Sequence, residues 1–256
     1  MTKKSYAKVN IFLKIVGKRG DYHEIVSRFV RVKNLFDTLS FTKGCFSDFT
    51  LEGNFGCTIE QNTIYKAYMK LSEISEEVRK YFTSHKVIVD KKIPEFAGLG
   101  GGSSNCATFM IMVNEVCKLG LTKDELSTIA TRIGADVPFF IYEYDSANVT
   151  GIGEIVTFFD EESLKLKVFT PDIQCDTGKI FQTYRKNFYK EISDLEISKL
   201  LDMSSNDILT ELNIFNANDL YLPAFKIYQE LKPSKYNLPQ NTYFSGSGSS
   251  FFYKED

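Results

Sequence analysis

From Ser5 to Val16 (SYAKVNIFLKIV) apolar and polar residues alternate, with Ala7, Val9, Ile11, Leu13 and Ile15 on one face. Tyr6, Lys8, Asn10, Phe12 and Lys14 share the other face. The pattern predicts a first strand whose apolar face meets a core, with Lys8 and Asn10 projecting together from the opposite side. A solvated polar face and a functional pair both fit that placement. A glycine-containing turn follows at 17–25, then strand-like runs at Thr38–Thr42, Asp48–Gly53 and His85–Asp90. Between the last two runs the period lengthens. Ile64, Ala67, Tyr68, Leu71, Ile74 and Val78 recur at helical spacing, predicting one amphipathic helix with Asn62 as its N-cap.

A second helical pattern runs from Ala107 through Met110, Ile111 and Asn114 to Cys117, up to Gly120. Thr122 and Glu125 form a capping-box signature for a helix that should run to Gly134. GADVPFF then sets Asp136 in a turn ahead of apolar residues. Residues 147–159 read as two strands about a glycine turn, and Leu166–Thr170 as another strand. Thr177 is expected to cap a helix carrying Phe181. Helices are predicted near 193–201, 204–212 and 218–231, and a strand–turn–strand around Ser245–Ser250 closes the chain. The sum is an α+β chain, with a domain boundary expected near residue 158 (1–158 and 159–256).

Composition narrows the function. The 256 residues are 43% hydrophobic with a formal net charge of −2, so the chain is globular and has no basic excess for nucleic acid. The five cysteines are scattered without a C-x-x-C pair, and only His23 and His85 accompany them. No metal-binding residues are expected on that pattern, and reduced thiols suit a cytoplasmic protein. No membrane partner is expected, because no apolar run approaches the length of a span.

The candidate chemistry centres on PEFAGLGGGSS: Pro94, Glu95, Phe96, Ala97, Gly98, Leu99, Gly100, Gly101, Gly102, Ser103 and Ser104. It lies between a predicted strand and a predicted helix. A glycine-rich turn entering a helix presents unpaired N–H groups and the positive end of the helix dipole, which is an anion site. Ser103 and Ser104 add hydroxyl donors. The Gly-Lys-Ser/Thr of a Walker A loop is missing, and Ser103 stands where the dinucleotide fingerprint needs its last glycine. A surface loop that merely caps a helix is the competing reading. A carboxylate at Asp136 would need a cationic partner if buried, and Lys8 is a candidate. Tyr22 and His23 could stack on and hydrogen-bond a flat heterocycle, or pack within a loop.

Taken together, AKVNIFL (Ala7 to Leu13), IPEFAGLGGGSSNCA (Ile93 to Ala107) and YFSGSGSSFF (Tyr243 to Phe252) resemble the three motifs of the GHMP kinase family, in order along the whole chain. YHE, GADVPFF and VTGIGE narrow the resemblance to one branch. That branch moves the γ-phosphoryl of ATP onto the 2-hydroxyl of 4-diphosphocytidyl-2-C-methyl-D-erythritol, in non-mevalonate isoprenoid synthesis. The resemblance implies an N-terminal domain like the second domain of ribosomal protein S5 and a ferredoxin-like C-terminal domain. It implies that Pro94 to Ser104 hold the ATP phosphates, with Mg2+ sharing their charge, and that Asn62 and Lys91 line the adenine pocket. Asp136 matches the catalytic base and Lys8 the catalytic lysine. Asn10, Tyr22, His23, Thr177 and Phe181 match substrate-contacting positions, with Tyr22 and Phe181 sandwiching cytosine and His23 bonding its edge.

Three departures stand out: Gly20-Asp21 reverses the usual order, Phe96 replaces a small residue, and Ser247 and Ser249 replace threonine and alanine. Two alternatives remain at this point. One is a GHMP kinase for homoserine or mevalonate, neither of which offers a base to stack on Tyr22 or Phe181. The other is a nucleotide-binding protein of the same fold without catalysis.

Overall fold

The structure is a computed structural model that describes every residue except Asp21 and Asp256. The chain forms two compact units. The first comprises Met1–Ala7, Lys33–Glu95 and Gly100–Glu143; the second comprises Lys8–Val32, Phe96–Leu99 and Tyr144–Asp256. Two long strands, β1 (Thr2–Arg19) and β2 (Tyr22–Lys43), pair with each other and contribute a stretch to each unit. The separate run expected at Thr38–Thr42 is thus the end of a strand that begins at Tyr22. The turn at Gly20 has φ +60°, a conformation glycine adopts without strain.

In the first unit, residues 38–43 of β2 pair antiparallel with β4 (His85–Asp90), Thr38 opposite Asp90. The short β3 (Leu51–Gly53) joins the far side of β4 in parallel. The helices are α1 (Thr63–Ile74), α2 (Glu76–Thr83), α3 (Gly101–Val116), α4 (Lys123–Ala130) and α5 (Val137–Tyr142). Helix α3 packs against α1 and α5, which explains why it buries Phe109, Met110, Met112 and Val113. Phe41, Phe82 and Phe109 meet there, with Phe41 edge-on to both partners at 5.3 and 5.8 Å.

Two expectations need correction in this unit. The single helix after Asn62 is two, because Ser75 turns extended (φ −148°, ψ 129°) and its Oγ accepts from the Glu77 N–H to start α2. Helix α4 keeps its capping box but stops at Ala130, and tighter i→i+3 bonds at Arg132 and Ile133 lead the chain on toward Gly134.

In the second unit, residues 25–30 of β2 pair antiparallel with β5 (Ser146–Gly151), which pairs with β6 (Ile155–Phe158). A separate antiparallel sheet has the order β7 (Leu166–Phe169), β9 (Phe251–Lys254), β8 (Tyr243–Phe244). Its helices are α6 (Thr177–Asn187), α7 (Asp194–Asp202), α8 (Ser205–Glu211), α9 (Ile214–Ala217) and α10 (Tyr221–Ile227). Leu13, Ile15, Ile25, Ile180, Tyr184, Leu220, Phe244 and Phe251 belong to one core cluster in this unit. The helix expected over 218–231 is shorter, because Asn218 is extended and its Oδ1 accepts from the Leu220 N–H. Asp176, not Thr177, caps α6, its Oδ1 accepting from the Lys179 N–H at 3.0 Å.

The fully buried Arg28 ties this unit together. Its Nε donates to Asn148 Oδ1 at 2.7 Å, and its remaining nitrogens reach the Leu201 and Met203 carbonyls and the Glu161 carboxylate. The guanidinium also lies 3.3 Å from the centre of the Phe159 ring. Burial pushes its pKa down to about 10, against the pull of Glu161. Among the described residues, no helix is long and apolar enough to cross a membrane.

Candidate active site

Each unit carries part of the predicted chemistry. In the first, Gly100 sits in the left-handed region (φ 69°) as the N-cap of α3. It has no side chain to cap the helix, so the helix dipole opens toward the chain ahead of it. The Gly102 carbonyl accepts from Thr63 Oγ1 at 2.7 Å, and Glu95 accepts from the Gly56 N–H at 2.6 Å. The two predicted hydroxyl donors differ. Ser103 is half-buried, whereas Ser104 is buried and accepts a hydrogen bond from Ser5 Oγ at 2.8 Å.

Asn62 spends its Oδ1 capping α1, on the Ile64 N–H at 2.9 Å. Lys91 Nζ donates to Asp37 Oδ2 at 2.6 Å and Asn105 Oδ1 at 3.0 Å, within a mostly buried polar cluster. Asp136 is half-buried at the start of α5 and does not use its side chain to cap that helix. The turn it belongs to adjoins the α3 N-terminus: a Cβ added to Gly134 would stand 3.9 Å from Ser103 Oγ.

In the second unit the apparently polar face of β1 is buried. Lys8 is 3% exposed and Asn10 1%, because Phe96–Leu99 and the turn between β8 and β9 cover them. The Lys8 backbone N–H donates to the Leu99 carbonyl at 3.0 Å. Its Nζ donates to Asn10 Oδ1 at 2.6 Å and to the Gly98 carbonyl at 3.1 Å, and lies 4.5 Å from the Phe29 ring centre. Asn10 Nδ2 donates to Ser27 Oγ at 2.9 Å, and Ser27 donates onward to the Phe12 carbonyl. Asn10, matched to a substrate contact, therefore commits its amide to orienting Lys8.

The Ser245–Ser250 turn, chemically silent when considered apart from the motif resemblance, holds this half of the loop. Ser245 Oγ donates to the Gly98 carbonyl at 2.9 Å, and the Ser250 N–H to the Ala97 carbonyl at 3.1 Å. Asn218 pins the turn by donating from Nδ2 to the Phe244 and Gly246 carbonyls, each at 2.9 Å. Nothing in its local sequence marks Asn218 beyond a residue type suited to turns. Phe96 is exposed, with φ 53°.

Thr177 Oγ1 lies 2.8 Å from Ser247 Oγ, so the first residue of α6 meets the same turn. Four residues on, Phe181 stacks on His23 with ring centres 4.8 Å apart and planes 27° apart. Arg185 Nε donates to His23 Nε2 at 3.3 Å, which puts the neutral imidazole proton on Nδ1. Burial first, then Arg185 and Lys18, lower the His23 pKa and keep the ring neutral. Tyr22 is 63% exposed. The structure thus joins His23 to Phe181 and leaves Tyr22 open to solvent.

No group of three or more His, Cys, Asp or Glu residues suited to a metal gathers among the described residues. Mg2+ that travels with a nucleotide needs only one or two carboxylates beside the phosphates. Glu95 and Asp136, in the first unit with the α3 N-terminus, are donors of that kind.

The first unit thus offers an uncapped helix start suited to an anion, and the second a buried lysine clasped by carbonyl and amide oxygens. Residues 62–144 match the model of the GHMP kinases N terminal domain. The chain is 53% identical to the 4-diphosphocytidyl-2-C-methyl-D-erythritol kinase of Sulfurimonas denitrificans, over 97% of this chain and 95% of that protein. It is 38% identical to the protein of the same name from Helicobacter acinonychis, over 96% and 94%. The crystal structure of a 4-(cytidine 5'-diphospho)-2C-methyl-D-erythritol kinase superposes with a TM-score of 0.75 at 27% identity, covering 98% of this chain and 89% of that one. The Methanococcus jannaschii mevalonate kinase shares the fold, with a TM-score of 0.65 at 14% identity over 100% and 90%. The chain belongs to the 4-diphosphocytidyl-2-C-methyl-D-erythritol kinase family within the GHMP kinases, with their two-domain α+β fold.

Proposed function

We propose that this protein is an ATP-dependent kinase that phosphorylates the 2-hydroxyl of 4-diphosphocytidyl-2-C-methyl-D-erythritol, a step of non-mevalonate isoprenoid synthesis in the cytoplasm. The observation that carries this reading is near full-length identity to kinases of that name. The His23–Phe181 ring pair supports the choice of acceptor, because homoserine and mevalonate carry no base for it to recognise.

Phosphoryl transfer asks mainly for positioning and charge stabilisation. Pro94 to Ser104 hold the ATP phosphates through backbone N–H groups and Ser103, while Ser104 supports the helix start from below. Asn62 and Lys91 stand by the adenine, Asn62 through its unspent amide nitrogen. Mg2+, when bound with the nucleotide, would supply charge neutralisation beside the phosphates, and Glu95 is the carboxylate that would hold it. The acceptor oxygen bonds to the γ-phosphorus as the bond to the β–γ bridging oxygen breaks and ADP leaves. Asp136 takes the hydroxyl proton, and the Lys8 ammonium counters negative charge on the reacting oxygens. Asn10 sets the Lys8 ammonium in place, and Thr177, Tyr22, His23 and Phe181 hold the cytidylyl end. The protein's partners are these small molecules, with no role for nucleic acid or membrane.

The test is ATP-dependent ADP release measured in parallel on the cytidylyl substrate, homoserine and mevalonate. Turnover on the first alone is expected. Equal or greater turnover on either of the others overturns the assignment of acceptor, and ATP binding without turnover on any of the three overturns catalysis.

A further inference from the structure

We propose that Asp37 is a positioning residue for the ATP-binding loop, acting through a buried polar cluster beneath the start of α3. The inference rests on the reading of Pro94 to Ser104 as the phosphate loop. Asp37 lies on β2 in the first unit and is completely buried. Its carboxylate receives four hydrogen bonds. Oδ1 accepts from the backbone N–H groups of Lys92 (2.6 Å) and Ile93 (2.8 Å), the two residues that lead into Pro94. Oδ2 accepts from Lys91 Nζ (2.6 Å) and Asn105 Nδ2 (2.8 Å). Asn105 lies in the second turn of α3. One carboxylate therefore fastens both ends of the glycine-rich segment, the approach at 91–93 and the helix it feeds.

The cluster continues to the serines of the loop. Asn105 Oδ1 accepts from Lys91 Nζ (3.0 Å), and its Nδ2 also donates to Ser5 Oγ (2.9 Å). Ser5 Oγ in turn donates to Ser104 Oγ (2.8 Å). Packing alone would hold these elements together, but it would not fix a register. Directional bonds to an ionised group do, and a buried charge that lost them would be costly, so alternative arrangements are excluded. The loop backbone must meet phosphate oxygens to within about 0.5 Å, and the cluster is what sets the two ends of that backbone. Local sequence gives Asp37 no motif: LFDTLSF reads only as a strand with one acid in it.

Asp37→Asn keeps the acceptor for the Lys92 and Ile93 N–H groups but turns a donor toward Lys91. It is expected to raise KM for ATP and the ADP dissociation constant at least tenfold, while KM for the acceptor alcohol stays within twofold. A merely structural role would lower the active fraction and leave both KM values alone. Adding Asn105→Asp to Asp37→Asn returns a carboxylate to Lys91 and reverses the Asn105–Asp37 and Ser5 bonds, and should recover most of the lost nucleotide affinity. Ser5→Ala removes no charge, so it tests the same chain in a variant that folds, with an expected rise of about threefold in KM for ATP. Unchanged nucleotide affinity in both Asp37→Asn and Ser5→Ala, with the unaltered protein binding ADP, overturns the proposal alone. Failure of the unaltered protein to bind ADP or ATP overturns the phosphate-loop reading, and this proposal with it.

Discussion

Gly98→Ala tests how closely the two glycine-rich stretches depend on one another. Gly98 has φ +74°, where an L residue costs roughly 1–2 kcal/mol. Its new Cβ would also stand 2.1 Å from the Ser245 carbonyl oxygen, 2.9 Å from the Ser245 carbonyl carbon and 3.1 Å from the Gly248 nitrogen. All three are backbone atoms, so no rotamer relieves the clash, and the two segments must part by more than about 1 Å to reach ordinary contact. Separation breaks the Ser245 Oγ bond to Gly98 and strains the Ser250 N–H bond to Ala97, at roughly 1 kcal/mol each. The sum is about 3–4 kcal/mol, which lowers Tm by about 10 °C in a chain of this size.

Activity should suffer as well, because the Gly98 carbonyl helps to aim Lys8 Nζ. A displacement near 1 Å costs on the order of 10²-fold in kcat. Coupled ADP-release kinetics well below the melting transition, beside a thermal melt, separate the two effects. Gly102→Ala is the control for the melt alone. Its Cβ meets nothing closer than Thr63 Oγ1 at 3.7 Å, and the position is in the first turn of α3, so no loss of stability is expected. A Gly98→Ala protein that keeps kcat within threefold and melts within about 2 °C of the original would refute this reasoning.

Four further outcomes are expected. Asp136→Asn should lower kcat by roughly 10²–10⁴-fold in the same assay, and a loss below tenfold would remove Asp136 as the base. Phe181→Ala should weaken acceptor binding by about 1–3 kcal/mol and leave ATP unaffected, with equal weakening of both ligands contradicting the stacking role. His23 has a folded pKa below its unfolded value, so its contribution to stability is complete above about pH 6.5 and is lost as pH falls from there toward the folded pKa. Urea titrations at a series of pH values should show that slope diminished in His23→Gln. Arg28→Ala leaves the Glu161 carboxylate buried without its guanidinium and should cost about 3–5 kcal/mol by urea denaturation; a loss under 1 kcal/mol would mean that the cluster is slack.

What could be read from sequence was whatever depends on neighbours along the chain. The Asn62 cap, the Thr122–Glu125 capping box, the strand before the loop and the helix after it all depend on residues within a few positions. Ser75 is hidden for the same reason, since a helical stripe that continues on both sides masks a serine that caps the second helix. The second face of β1 was left open by the pattern. Alternation shows which residues share a side, but not that residues 96–99 and 245–250 would cover the polar side too. Lys8 therefore became a buried cation with chosen partners. Long-range partners were out of reach: Asn218, Asp37 and Arg28 work through groups that the chain order scatters. The ring pairing of His23 with Phe181 joins residues 158 positions apart, which no local pattern specifies.

The discontinuous make-up of the compact units has a consequence during synthesis. A nascent chain that has emerged as far as Glu143 holds every segment of the first unit, but only Lys8–Val32 and Phe96–Leu99 of the second. Leu13, Ile15 and Ile25 then wait on the ribosome without Ile180, Leu220, Phe244 or Phe251, the residues that will cover them. That interval is when an upstream oily surface is offered to chaperones, and it lasts until Phe251 has been made, more than a hundred residues after Glu143.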